Sequence, residues 1–70
     1  MAQQVFAGQR YVAKNGTKFE VVKVVLDQWI GDHAVTVRGT DRHGKPLPDG
    51  AWFRQAQVLE VCVLEEDGPA

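Results

Sequence analysis

The sequence has one cysteine, no marked excess of charge of either sign, and no long apolar run. Because Cys62 is the only cysteine, the chain has no intrachain disulfide and no cysteine-rich zinc site. This fits a reducing compartment. Seventy residues make one domain at most. A chain of this length buries only about 60% of the surface that it exposes when unfolded, so its stability rests on a small core.

The charge balance is close to neutral, with eight Lys and Arg against nine Asp and Glu. This argues against binding to DNA by bulk charge alone. It also removes the self-repulsion that keeps proteins apart, so self-association is compatible with the composition. The N-terminus lacks a basic segment followed by an apolar core, and no apolar run reaches the roughly 18 residues of a membrane span. We therefore expect a cytoplasmic protein with no membrane contact.

The first strong local signal is Asn15-Gly16, between two segments rich in β-branched and aromatic residues. Asn followed by Gly supplies the positive φ angles of a two-residue type I′ turn. The pattern predicts a hairpin with strands Arg10–Lys14 and Thr17–Leu26. Four valines within Val21–Val25 favour a strand here over a helix.

Both faces of the second predicted strand are apolar. Strand alternation places Phe19, Val21 and Val25 on one face and Val22, Val24 and Leu26 on the other. A strand that is apolar on both faces and bends to join two packed surfaces is typical of a small barrel.

The remainder of the chain predicts further short strands. A turn at Gly31-Asp32 leads to a strand from His33 to about Thr40. Trp29, before that turn, is expected to pack on the barrel end; the alternative is a contact residue. His43-Gly44 predicts a second tight turn whose following arm holds Pro46 and Pro48 and is therefore an edge. The elements expected next are a helical turn containing Trp52 and Phe53, with Asp49 as a cap, and a last strand, Gln57–Leu64.

These elements predict an all-β fold: a small, partly open barrel of about five antiparallel strands with one short helical turn before the last strand. The order resembles SH3-like small barrels, and the opening Gly8 to Tyr11, followed by a turn and a β-branched run, resembles the start of bacterial domains of that class. The resemblance covers Gly8 to about Leu64. It implies peptide binding, nucleic-acid binding, assembly or, rarely, catalysis, and so narrows the function little. We divide the chain into an N-terminal arm (1–9), one barrel domain (8–64) and a flexible acidic tail (65–70).

The sequence offers no obvious catalytic or metal-binding set. Cys62 lies between valines and is expected to be a buried small hydrophobe. Asp32, His33, Asp41 and His43 are of the types that bind divalent metals, but their spacing is that of solvated loop residues. No phosphate-binding glycine loop is present. We therefore expect no enzyme, no cofactor and no metal.

Half of the basic residues fall between Arg38 and Arg54, beside Trp52 and Phe53. We expect Phe53 in the core and Trp52 exposed, because a buried indole N–H needs a partner. Arg and Trp are favoured at protein–protein hot spots. The leading hypothesis is therefore a bacterial or phage binding module that docks a protein partner. The predicted binding residues are Arg38, Arg42, His43, Lys45, Trp52 and Arg54.

Three other interpretations stay open. The same basic and aromatic residues suit a nucleic-acid backbone and its bases. An uncovered edge at the Gln57–Leu64 strand suits pairing with a second copy of the chain, giving a homo-oligomer. In the third interpretation, the basic residues between Arg38 and Arg54 bind nothing and only keep a surface loop solvated.

Overall fold

The computed structural model describes residues 4–66. The elements are β1 Arg10–Ala13, β2 Lys18–Asp27, β3 Asp32–Thr40, β4 Trp52–Arg54, α1 Gln55–Val61 and β5 Cys62–Glu66. The five strands form one antiparallel sheet in the order β4-β3-β2-β1-β5, which leaves β4 and β5 as its two edges. The sheet is not closed, and a short helix precedes the last strand, so the predicted all-β, partly open fold is confirmed.

The β1–β2 turn is a three-residue loop and not the predicted two-residue type I′ turn. Gly16 N donates to Ala13 O at 2.9 Å, and Ala13 N donates to Thr17 O at 2.7 Å. Gly16 has φ +96°, whereas no residue other than glycine among 4–66 has a positive φ. Asn15 therefore does not adopt the type I′ conformation; its Oδ1 instead accepts from Thr17 N at 2.9 Å. One glycine in the left-handed region is enough to close a hairpin of this length.

The loop after β3 repeats the same pattern of hydrogen bonds. Gly44 N donates to Asp41 O at 3.0 Å, and Asp41 N donates to Lys45 O at 2.8 Å. Only the glycine has a positive φ, of +81°. The predicted two-residue turn at His43-Gly44 is therefore also wrong, because the observed loop has three residues. Beyond it, a single bridge pairs Thr40 with Pro46.

A β-bulge in β2 decides which valines reach the core. Val21 pairs with Val37 and Lys23 pairs with Thr36, so Val22 is an extra residue with no partner on β3. The bulge resets the alternation. Val24 therefore packs against the core and Val25 is 53% exposed, the reverse of the face assignment predicted from strict alternation.

The core lies inside the curved sheet, under α1. Phe53 of β4 packs onto it, with its ring centroid 5.3 Å from that of Phe19. Part of the predicted N-terminal arm also belongs to it, because Val5 is only 2% exposed and its N–H donates to Gln55 Oε1 at 3.0 Å. The buried apolar residues are Val5, Tyr11, Phe19, Val21, Val35, Val37 and Val58.

The C-terminal third differs most from the predicted boundaries. Trp52 and Phe53 lie in β4, not in a helical turn, and the last strand begins at Cys62, not at Gln57. The intervening segment is helical, with Val58 buried and Leu59 packed against the core. The seven residues of α1 are far too few to cross a bilayer, and no other helix of residues 4–66 could do so.

The first part of the predicted acidic tail is ordered as a strand. Glu65 and Glu66 belong to β5, and Glu66 Oε2 lies 3.3 Å from Arg10 Nη1 on β1. The rest of that predicted tail, 67–70, lies outside the described residues.

Candidate interaction surfaces

Trp52 lies on the outer face of the sheet formed by β2, β3 and β4. Strand alternation points Phe53 into the core and Trp52 and Arg54 outward. Trp52 is 49% exposed, whereas Phe53 packs against the core. The burial predicted for these two aromatic residues is therefore confirmed, although strand alternation rather than a helical turn separates them.

Two rows of side chains cross this outer face. In the first, Lys23 pairs with Thr36 and Thr36 pairs with Trp52; in the second, Val25 pairs with Ala34 and Ala34 pairs with Arg54. All of these residues except Arg54 line a shallow groove of 380 Å³, together with Leu26 and Asp27; Arg54 lies beside the groove, next to Ala34 in the second row. We call this surface the Trp52 face: an apolar groove around Trp52 and Val25, with a cation on each side.

Arg38 extends the Trp52 face in the direction away from Arg54. It lies two residues beyond Thr36 on β3, and therefore on the same side of the strand. It pairs across the strands with Glu20, whose Oε2 lies 3.8 Å from Arg38 Nη2. Glu20 neutralises part of its charge, so Arg54 and Lys23 are the cations of this face with no ion pair among residues 4–66.

The other three predicted binding residues lie elsewhere. Arg42, His43 and Lys45 are exposed on the loop after β3, where Arg42 Nε donates to His43 Nε2 at 3.0 Å. β3 ends at Thr40, so Arg42 lies in the turn beyond the strand that carries Thr36. The structure therefore groups Arg38, Trp52 and Arg54 and separates them from Arg42, His43 and Lys45.

This loop is held by Asp41 and lies against the β1–β2 turn. Asp41 Oδ1 accepts from Lys45 N at 3.0 Å and from His43 N at 2.8 Å. These bonds hold the pKa of Asp41 below its ordinary value. A Cβ placed on Gly16 would lie 3.5 Å from the Cβ of Arg42. Both turns therefore occupy the same end of the molecule.

At that end the barrel opens into a cavity of 190 Å³, which we call the mouth. Its polar lining includes Asn15. Burial raises the pKa of the Cys62 thiol, which also lies in its wall. Sequence reasoning missed the mouth; the only local signal was the spacing of the helix valines. Its apolar walls are Phe19, Leu47, Phe53, Val58 and Val61.

Trp29 lies at the opposite end, in the β2–β3 turn, and is 95% exposed. Its backbone N–H donates to Asp27 Oδ1 at 2.9 Å, and Gly31 N donates to Asp27 O at 3.1 Å. The turn is therefore fixed, while the indole has almost no contact with the rest of the domain. The expectation that Trp29 packs on the barrel end is wrong.

The residues considered for metal binding are divided between the two ends. Asp32 Oδ2 accepts from Ala56 N at 2.9 Å, and Asp32 Oδ1 accepts from His33 N at 2.7 Å. These bonds, that to Ala56 first, lower the pKa of Asp32. Asp41 and His43 lie in the loop at the mouth end. Within residues 4–66 no three His, Cys, Asp or Glu side chains come together as a metal site.

Comparison of the chain with family models, with curated proteins and with solved structures finds no match.

Proposed function

We propose that this domain is a non-enzymatic binding module that docks a protein partner through the Trp52 face, in the cytoplasm of a bacterium or a phage-infected cell. The observation that supports this most directly is the half-exposed Trp52, set in a largely apolar groove that Lys23 lines, with Arg54 beside it on the same face. Hot spots of protein interfaces are enriched in Trp and Arg and have an apolar centre with a polar rim.

The chemistry of the groove indicates the kind of partner. Val25, Ala34 and Trp52 offer an apolar floor, which suits an apolar or aromatic side chain. The cations of Lys23 and Arg54 suit carboxylates on either side of that side chain. We therefore propose a partner segment in which an apolar anchor is flanked by Asp or Glu.

The distribution of charge favours a protein over a nucleic acid. A nucleic-acid groove needs a continuous basic track along the phosphates. Here Glu20 and Asp27 lie on or beside the Trp52 face, and Arg42 and Lys45 lie on the loop beyond the end of β3. The apolar floor and interrupted charge fit a protein partner better.

Affinity capture from an extract of the native host tests the proposal, with and without nuclease. We expect a protein that stays bound after nuclease treatment and that Trp52→Ala weakens by roughly 30-fold, the size of a hot-spot loss. Arg54→Glu should also weaken it. Arg42→Glu makes the same change of charge on the distant loop and should leave capture intact.

Three results would contradict the proposal: capture that survives Trp52→Ala in a variant with a normal circular-dichroism melt, capture equally sensitive to Arg54→Glu and Arg42→Glu, or capture that nuclease abolishes. The last would instead support nucleic-acid binding.

A further inference from the structure

We propose that copies of this chain associate head to tail, with Trp29 of one copy inserted into the mouth of the next. This contact is separate from the Trp52 face, because neither Trp29 nor the residues that line the mouth belong to that groove.

The first observation is the exposure of Trp29. An indole that is 95% exposed carries a large apolar area on a turn that Asp27 holds in place. Aromatic side chains gain more than any other type by burial at an interface. A fixed turn presents the ring with little loss of conformational freedom on binding.

The second observation is that the mouth has the size and chemistry to accept an aromatic ring. An apolar cavity of about 150 Å³ takes up benzene. The mouth measures 190 Å³, is walled by Phe19, Phe53 and aliphatic side chains, and opens to solvent. An indole can therefore enter it and meet aromatic and aliphatic surfaces.

Trp29 cannot fill the mouth of its own chain. The mouth borders Thr17, just before β2, while Trp29 follows Asp27 at the other end of that strand. The ten residues of β2 lie between the two. The indole and the cavity can meet only between two copies.

The third observation is the charge beside Trp29 and near the mouth. Asp27 lies beside Trp29, whereas Asp32 is bound to the first turn of α1 and is subject to the charges of His33 and Arg54. At the mouth end, Asp41 is bound to two backbone N–H groups of its own loop, and the cations exposed on the two turns are Lys14, Arg42 and Lys45. These cations do not line the mouth, but Lys14 stands between Ala13 and Asn15, which do. They can therefore attract the carboxylate of Asp27 beside an inserted Trp29, and with a net charge of −1 the whole chains repel one another little.

A contact between opposite ends is heterologous. Each copy keeps one free Trp29 and one free mouth after pairing, so association continues into open chains or rings and does not stop at a dimer. This property separates the proposal from a symmetric dimer formed through a strand edge.

Sedimentation velocity of the whole chain over a range of concentrations tests the proposal. The mean mass should rise with concentration and fall with added salt, because charge complementarity is screened. Trp29→Ala removes the inserted ring and should weaken association by roughly tenfold or more. Phe6→Ala removes another exposed aromatic ring, outside both surfaces, and should leave association unchanged.

A mixing experiment gives the sharper test. Gln57→Trp places a bulky ring on the exposed side of α1 that borders the mouth and should block it. The Trp29→Ala variant keeps an open mouth but has no indole to insert. The Gln57→Trp variant keeps Trp29 but has a blocked mouth. At a concentration where the wild type associates and each variant alone is monomeric, an equal mixture of the two variants should form one-to-one dimers only.

Several results would overturn the proposal: a wild type that stays monomeric at the highest concentration, undiminished association of Trp29→Ala, or a mixture of folded variants that stays monomeric. Uptake of free indole by the mouth without any effect of Trp29→Ala on the mass would assign the cavity to a small ligand instead. None of these results bears on capture through the Trp52 face.

Discussion

At the residue scale, Asp32 joins β3 to the start of α1. The helix has Arg54 at its N-cap and no side-chain cap from its own segment. The carboxylate of Asp32 supplies the missing acceptor by binding Ala56 N from another strand. The cap predicted from the sequence, Asp49, is wrong because the helix begins six residues after it.

We expect Asp32→Ala to lower the melting temperature, because it leaves the N–H groups of Ala56 and His33 without their acceptor. Asp49→Ala is the matched control: Asp49 is exposed and should tolerate the change. Thermal unfolding followed by circular dichroism measures both. Equal melting temperatures for Asp32→Ala and wild type would contradict the assigned capping role.

The same carboxylate makes stability depend on pH. The fold lowers the pKa of Asp32 from its ordinary 3.8. A group whose folded pKa is lowered stabilises the protein above its unfolded pKa and loses that contribution as the pH falls through the folded value. The difference in melting temperature between wild type and Asp32→Ala should therefore be full at neutral pH and should shrink below about pH 4. A difference that grows with acid would contradict this.

Gly39 shows a second constraint that acts on one residue. A Cβ at this position would overlap the carbonyl oxygen of Lys18 and lie 2.6 Å from the Cα of Phe19. Its φ is not in the left-handed region. Glycine is needed here because β2 passes too close to leave room for a side chain.

At the element scale, the bulge at Val22 bends β2 and changes the face of every residue after it. Before the bulge, Phe19 and Val21 point inward; after it, Val24 does so and Val25 joins the Trp52 face. The groove proposed as a docking site therefore exists because of one extra residue in β2.

Paired substitutions of adjacent valines test this register. Val24→Thr places a hydroxyl against the core and should cost about 1 kcal/mol of unfolding free energy. Val25→Thr places the same group in solvent and should change stability by less than about 0.5 kcal/mol. Urea unfolding measures both. The opposite order would show that β2 has no bulge and follows strict alternation.

At the scale of the whole molecule, two segments outside the sheet cover the core: the residues before β1 and the helix α1. Val5 enters from the N-terminal side and Val58 from α1, and each is almost completely buried. A domain of this size has few core residues to lose. The segment before β1 is therefore part of the stable fold.

Adjacent substitutions near the N-terminus test this closure. Val5→Ala should cost about 2 kcal/mol, through lost burial and the cavity left behind, which lowers the melting temperature by roughly 10 °C. Phe6→Ala removes a larger side chain that is 58% exposed and should have little effect. A greater loss from Phe6→Ala in thermal unfolding would contradict this account of the core.

The two proposed surfaces are compatible in one assembly. Head-to-tail contacts use the two ends of the molecule, whereas the Trp52 face lies along its side. A chain of copies would present this face repeatedly, so that a partner with several binding segments would gain avidity without any new contact.

The local sequence was sufficient for features that depend on neighbouring residues. Runs of β-branched and aromatic residues predicted β1, β2 and β3, and the alternation within β3 is regular, so that Val35 and Val37 share its buried face. Glycines marked both three-residue loops, although the turn type was wrong because Asn15 and His43 do not adopt positive φ. Trp52 and Phe53 were assigned to the correct environments.

The sequence could not locate the candidate sites, because they depend on distant partners. Half of the predicted binding residues lie on the loop after β3, beyond the end of the strand that pairs with Trp52. The mouth combines side chains from β2, from α1 and from the segment after β3, and Trp29 is exposed because no other part of the domain reaches it. Nothing near these residues in the sequence indicates such neighbours.

The sequence by itself determined where the chain extends and where it turns, because Cβ branching and the freedom of glycine act on each residue's own backbone. Only the tertiary structure decided the strand register after Val22, the cap that Asp32 lends to α1, and the separation of the basic loop from Trp52. Those features arise from contacts between segments far apart in the chain. The free energy of such a contact depends on both segments, so neither segment's own sequence determines it.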